Sequence, residues 1–328
     1  MARLSLSVAV GALLFALAVP AVPAVRAAAQ QPAARSTPAE PATVLYASQF
    51  DLQSNDGTAV YRIFVSEPVG PPPASGYPVV YILDGNGYFA TAVEAARILE
   101  LAGEIRPALI VGVGYPFDAS KPEASLGNIA QRRVLDYTPL PPPGVVVPEM
   151  GGLPVGGADD FYRFLKEDLG PHLQRSYRVD PMQDVLIGHS LGGLFALDAA
   201  FKHPQAFRSV ISASPSISFG NAVVLSNEAR FAAALKTGKA SRMLVTVGGL
   251  ESSATATPVP PGMSRADFAA YIDRIRTVDN ARKLGARLSR MDRQAIGFVE
   301  FAGETHVSVV PASISRGLRF ALGGPRPR

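Results

Sequence analysis

Six residues, Gly188-His189-Ser190-Leu191-Gly192-Gly193, constrain this chain more than any other stretch. They follow an apolar run, Val185-Leu186-Ile187, and lead directly into an apolar, alanine-rich stretch over 194–201. Strand, G-x-S-x-G, helix is the context in which this pattern sets a serine on a sharp turn with its hydroxyl exposed. The flanking glycines have a steric role, since so tight a turn leaves no room for side chains two residues away. Gly193 adds clearance for the new helix to pack on its sheet. A glycine-rich turn whose serine merely caps the helix is the plain alternative.

The rest of the chain supplies the sheet that such a turn requires. Short continuous apolar runs recur at Val79–Leu83, 108–113, 185–187, 210–213, 244–247 and Ile296–Phe301. Helical patterns lie between most of them, at 91–101, 159–174, 191–203, 222–236 and 265–290. Runs without polar alternation predict strands covered on both faces, as in a parallel sheet. Their alternation with helices predicts a layered α/β domain. Ahead of them, 44–50 and 59–67 predict a hairpin around Asn55-Asp56-Gly57. Phe161, Phe164, Leu165 and Leu169 fall at helical spacing and read as core. The segment 115–157 is rich in Pro and Gly and too long for an ordinary connector, so it is expected to be functional or mobile.

Composition narrows the class. Of 328 residues, 48% are hydrophobic and 18% charged, enough apolar material for a sizeable core. Residues 1–29 read as a secretory signal peptide: Arg3 near the start, an apolar run over 8–19, and an exit at Ala27-Ala28-Ala29. That run is short for a membrane span of about 20 residues, with an uncleaved anchor as the alternative. Residues 30–41 read as a flexible lead-in, 42–323 as a catalytic domain and 324–328 as a tail, with a periplasmic or secreted location expected. Cleavage would remove Arg3 and Arg26 and no acid, lowering the formal net charge of +4 by two. With no lysine or arginine run, nucleic acid is not expected as a partner. There is no cysteine, and the four histidines show no H-x-x-x-H spacing, so no disulfide, metal site or cofactor is expected.

A serine hydroxyl needs an adjacent base to become a nucleophile. Where G-x-S-x-G carries such a serine, the partners follow in the order serine, acid, histidine. Two histidines come after Ser190. His203 ends the helix beyond the turn and reads as a solvent-facing or capping residue. His306 lies in a loop after the last apolar strand, where a general base is expected. His172 and His189 precede the serine and read as non-catalytic. The acid should follow the strand 244–247, and Glu251 is the first carboxylate there. It would hold the histidine tautomer; an exposed loop glutamate beside a Ser–His dyad is the alternative. Glu304 is near His306 in the chain, but adjacency does not ensure hydrogen-bond geometry. Backbone amides for a developing oxyanion are expected at Leu191, at the helix start, and at Asn86 in the glycine-rich Asp84-Gly85-Asn86-Gly87.

Several motifs together resemble one esterase family, the one that includes esterase D, the mycolyltransferases and the siderophore esterases. They are YPVVYILDGNGYF (77–89), VGVGYP (111–116), RRVLDYTP (132–139), 156–181, GHSLGGLFAL (188–197) and SPS (214–216). Within it the chain is most similar to periplasmic trilactone hydrolases acting on enterobactin-like siderophores. The resemblance implies an α/β-hydrolase fold: a mostly parallel sheet, helices on both faces and an N-terminal antiparallel hairpin. It also implies serine esterase chemistry on a small-molecule ester, with Ser190 and His306 as the core pair and Asn86 and Leu191 as oxyanion amides. Arg132, Arg133 and Tyr137 are implied to sit near the mouth of the site, where an arginine could hold an acidic substrate. The alternative is an arginine that satisfies Asp136. A siderophore trilactone hydrolase, an acyltransferase and an inactive hydrolase-like binding protein would share these residues. Relatives carry tryptophans shortly after SPS; this chain has Ile217-Ser218-Phe219 there and no tryptophan.

Overall fold

The computed structural model describes residues 42–260 and 262–324. The signal peptide, the whole of the lead-in and most of the tail read from the sequence lie outside them. The described chain from Thr43 onward forms one compact unit, built on an eight-stranded sheet in the order β1-β2-β4-β3-β5-β6-β7-β8.

The hairpin strands β1 (Ala47–Gln53) and β2 (Val60–Ser66) pair antiparallel, and β2 pairs antiparallel with β4 (Leu109–Gly114). From β4 onward every pairing is parallel: β3 (Val79–Leu83), β5 (Val185–His189), β6 (Ser209–Ala213), β7 (Arg242–Gly248) and β8 (Ile296–Phe301). Strands β3 to β6 are buried along their whole length, as their unalternating apolar composition requires once helices cover both faces.

Two apolar cores result, one on each face of the sheet. One packs α1 (Gly85–Leu101) and α10 (Val309–Leu322) on the sheet through Phe89, Val93, Ile314 and Leu318. The other is larger and centres on α3 (Ala158–Arg163), α4 (Gly170–Ser176), α5 (Leu191–Lys202), α7 (Glu228–Lys236) and α9 (Thr277–Ser289). Phe161, Phe164, Leu165 and Leu169 are all buried there, the last three in a wider π-helical stretch, Phe164–Leu169, between α3 and α4.

Two features depart from the sequence expectation. The segment 115–157 contains a 16-residue helix, α2 (Pro122–Tyr137). The helical pattern over 265–290 is two helices, α8 (Arg265–Ile275) and α9, separated at Arg276, whose φ is +47°. A short turn, α6 (Phe219–Ala222), follows β6. Among the described residues no helix is long and apolar enough to cross a membrane.

Candidate active site

Parallel strands send the loops that follow them to one edge of the sheet, so the C-terminal ends of β3, β5, β6, β7 and β8 lie on the same side. Ser190 follows β5 directly, with φ +60° and ψ −117°, a conformation that side-chain-bearing residues avoid. The turn is clamped by three backbone bonds. The Ser190 N–H donates to the Ala213 carbonyl (2.9 Å), while its own carbonyl accepts from Leu194 (2.9 Å) and Ser216 (3.2 Å).

Gly188 and Gly193 enforce this shape. A Cβ on Gly188 would stand 2.1 Å from the Gly192 carbonyl oxygen, and one on Gly193 2.7 Å from that of Ala213. Gly192 differs from the sequence expectation, because a Cβ there would meet nothing nearer than 3.5 Å. The turn needs the backbone of Gly192 close to Gly188 and has room for a methyl group on Gly192 itself.

Glu251 sits in a short turn, Gly249–Ser252, just past β7, and is buried. Its Oε1 accepts from the Ser214 hydroxyl (2.5 Å) and the Gly248 N–H (2.7 Å). Its Oε2 accepts from Nδ1 of His306 at 2.7 Å. The loops bearing the two residues are locked together: Leu250 N–H donates to the Glu304 carbonyl at 3.0 Å. A Cβ on Gly248 would stand 2.5 Å from that same oxygen, so glycine is required for the close approach. Glu304 itself accepts from the Ser308 hydroxyl and so serves the local turn.

Ser190, Leu191, Glu251 and His306 line one cleft of about 300 Å³. Its walls are otherwise largely apolar, lined by Met150 and Phe219 and by Phe268, Tyr271, Ile272 and Ile275 of α8. With Nδ1 of His306 occupied by the carboxylate, Nε2 is the nitrogen free to exchange a proton. Leu191 opens α5, so its amide precedes the helix's own acceptors. Asn86 is locked by a reciprocal pair with the backbone of Tyr115: its Nδ2 donates to the carbonyl (2.8 Å) and its Oδ1 accepts the N–H (2.7 Å). That pair fixes the turn after β3, while Gly87 and Tyr88 donate to the Asp84 carbonyl (2.9 and 3.0 Å).

The arginines turn inward. Arg132 pairs with the buried carboxylate of Asp136 at 3.0 Å and donates to the Tyr61 hydroxyl at 2.9 Å. Arg133 grips both oxygens of Asp84, at 2.6 and 3.0 Å, and reaches the His189 carbonyl at 3.5 Å. Tyr137 is fully buried, its hydroxyl oxygen accepting the Asp84 N–H at 3.0 Å. None of the three is among the residues lining the cleft, and neither is Asn86; of the two expected oxyanion residues the cleft lining contains Leu191. In place of the expected position at the mouth of the site, Arg132 and Arg133 serve here as half-exposed counter-ions of Asp136 and Asp84, and Tyr137 fixes the Asp84 backbone. Burial pushes the Asp136 carboxyl up to about 6, against the pull of Arg132.

Two residues with no role expected from the sequence connect these parts. Ser214, first residue of the SPS segment, reaches Glu251 from the end of β6. His189, immediately before Ser190, directs its Nε2 at the backbone carbonyl of His306, 2.7 Å away. A carbonyl can only accept, so Nε2 carries the proton and Nδ1 faces the Tyr88 hydroxyl at 3.4 Å. Burial, then the charges of His306 and Arg133, push the His189 imidazole down to about 3. The other histidines are remote from this network: His203 stacks on Tyr162 and His172 lies beside Phe50.

Parallel sheet, serine turn after β5, carboxylate after β7 and histidine after β8 define an α/β hydrolase. A family model described as "Putative esterase" matches residues 153–274. The chain is 37% identical over 282 residues to the ferri-bacillibactin esterase BesA of Bacillus subtilis, covering 83% of this chain and 88% of that protein. It is 34% identical over 293 residues to the siderophore triacetylfusarinine C esterase of Aspergillus fumigatus, covering 82% and 91%. Among solved structures it is similar to the siderophore hydrolase EstB of Aspergillus nidulans (TM-score 0.73, 30% identity, 88% of this chain and 100% of that one). It is likewise similar to the BES protein of Bacillus cereus (TM-score 0.71, 32% identity, 87% and 99%). The chain belongs to this esterase family and is a carboxylic ester hydrolase.

Proposed function

We propose that the chain is an exported serine esterase that opens the ester bonds of a siderophore trilactone through an acyl-enzyme. The Ser190 Oγ attacks the ester carbon as its proton passes to Nε2 of His306. The carbonyl oxygen, now negative, is held by the amides of Leu191 and Asn86. Collapse breaks the bond to the alkoxy oxygen, which leaves with the proton from His306. Water then attacks the acyl-serine by the same route in reverse, releasing the acid and restoring the hydroxyl. Glu251 holds the tautomer that leaves Nε2 free and stabilises the imidazolium as it forms.

The observation that carries this reading is the 2.7 Å bond from His306 to a buried Glu251, opening on the same cleft as Ser190. The siderophore class is supported by the two relatives above, and export by the amino-terminal composition. A cleft of about 300 Å³ is at the small end of ligand sites and suits one arm of a multi-ester substrate at a time. The test is to incubate purified protein with a trilactone siderophore and follow linear products by mass spectrometry, with Ser190→Ala alongside. Linear products from the parent protein, lost by several orders of magnitude in the variant, are expected. Equal hydrolysis by both would overturn the assignment of Ser190, and an intact trilactone with active ester hydrolysis would overturn the siderophore assignment.

A further inference from the structure

Helix α8 belongs to the cleft and to neither core. Its 11 residues carry one apolar stripe at helical spacing, Phe268, Tyr271, Ile272 and Ile275. All four line the cleft that holds Ser190 and His306. Phe268 and Ile272 are buried, and Tyr271 and Ile275 are half-buried, yet none of the four is part of the apolar core on either face of the sheet. Helix α9 behaves in the opposite way, since Val278, Ala281, Leu284 and Leu288 all sit in the larger core. The break at Arg276 thus divides a helix that packs on the sheet from one that walls the cleft. A helix as short as α8 is marginal in water by itself. It is held here by the Ser264 cap, whose hydroxyl oxygen accepts the Asp267 N–H at 3.1 Å, by the bonds of Arg265 to the Ala254 and Thr257 carbonyls, and by the stripe. The charged groups nearby are exposed to water: Glu149, and Arg265 and Arg274 of α8, which keep their charge and are not among the lining residues. None of them interrupts the stripe.

We propose that this wall gives the protein a further activity, hydrolysis of simple aliphatic esters, with the α8 stripe binding a hydrocarbon chain next to the scissile bond. The proposal rests on the esterase reading above and stands apart from the siderophore assignment. The chemistry is the same, acyl transfer to Ser190 and then to water; α8 adds the binding of the chain. Each methylene moved from water onto an apolar wall raises kcat/KM by up to about fourfold, the value of a fully buried CH₂. At about 30 Å³ for each water-sized group, a cleft of about 300 Å³ is filled by an ester group with a chain of about six carbons. Beyond that length, added methylenes stay in water and gain nothing.

Two series of esters test this: p-nitrophenyl esters of straight-chain acids from acetate to decanoate, and acetates of straight-chain alcohols from ethyl to octyl, followed by pH-stat. The first varies the acyl side and the second the alcohol side. In at least one, kcat/KM is expected to climb about two- to fourfold per methylene to about six carbons and then level. Ile275→Asn, at a half-buried position, should cut the preference for the six-carbon over the two-carbon chain about tenfold. Ile272→Ala, which recesses the wall, should move the plateau to longer chains. A thermal melt reports the fold of each variant, and either one that melts as the parent does suffices for the comparison. A flat profile in both series, or a climb that neither substitution alters, would overturn the proposal and leave the esterase reading standing. Failure to cleave any ester of either series would sink the esterase reading, and this inference with it.

Discussion

Replacing Glu251 by glutamine separates a triad from a dyad, and the structure dictates which way the new amide must face. Oε1 accepts two hydrogen bonds, from Ser214 and from the Gly248 N–H. The backbone N–H can only donate, so an oxygen must stay at that position. The glutamine NH₂ is then forced toward His306, where a carboxylate oxygen now accepts from Nδ1 at 2.7 Å. Two donors cannot share that contact, so the imidazole must move its proton to Nε2. In that tautomer it can no longer take the proton of Ser190. Acid-to-amide exchange in serine protease triads sets the scale, a fall of about 10⁴ in kcat. That corresponds to about 5.5 kcal/mol of transition-state stabilisation. Because both bonds to Oε1 survive, the thermal midpoint of Glu251→Gln should stay close to that of the parent. Glu251→Ala should be less stable as well, since Ser214 and Gly248 lose a partner in a buried place, at about 1–3 kcal/mol each. The assay is steady-state hydrolysis of a short p-nitrophenyl ester together with a thermal melt of each variant. A glutamine variant that folds normally and retains more than about a tenth of the parental kcat would refute the reasoning and leave Ser190 and His306 as a dyad.

Removing the imidazole of His189 should loosen the base loop: His189→Leu is expected to lower kcat about tenfold with little change in KM, and His189→Gln, whose amide can still donate to the His306 carbonyl, to recover most of it. His189 also contributes to acid sensitivity. With its folded-state value near 3 against an ordinary 6.5, the unfolded chain binds the extra proton, so its contribution is complete above pH 6.5. It is lost as pH falls toward 3, by about 5 kcal/mol at most. Asp136 acts in the opposite sense: its carboxyl, raised to about 6 from 3.8, favours the folded state at low pH and loses that advantage as pH rises through 6. Denaturant melts from pH 7 to 3.5 should therefore show a shallower acid loss in His189→Gln and a steeper one in Asp136→Asn. At the serine turn, Gly188→Ala should abolish soluble expression or cost several kcal/mol, whereas Gly192→Ala should fold with a midpoint within a few degrees of the parent.

The sheet was legible because its strands are unbroken apolar runs, and each predicted central strand lies within about two residues of the observed one. The serine turn was legible for a related reason: its signal is local, six residues between a strand and a helix. What escaped was structure without a local signature. Helix α2 buries only Ser125, Val134, Asp136 and Tyr137, too sparse an apolar stripe to outweigh the Pro- and Gly-rich sequence around it. The break between α8 and α9 falls on an arginine with positive φ, where no glycine or proline marks it. Arg133, His189 and Ser214 carry polar links to partners 49, 117 and 37 residues away along the chain, and spacing alone cannot pair them.

Those links also explain how five loops can present one site. Arg133 ties the turn after β3 to the carbonyl of His189 at the end of β5. His189 ties that end to the backbone of His306 beyond β8. Ser214 joins the end of β6 to Glu251 beyond β7, and Leu250 joins that loop to Glu304. Each bond alone is worth about 1 kcal/mol, more where a charge takes part, so their value is not mainly in stability. Proton transfer between serine and histidine tolerates little misplacement, and a displacement of about 1 Å can cost a hundredfold in rate. A chain of buried and part-buried bonds from β3 to β8 ties together the loops that carry the serine, imidazole and carboxylate, although each arrives on a different strand. The burial that keeps His189 neutral fits this role, because a second cation beside His306 would oppose the imidazolium on which turnover depends.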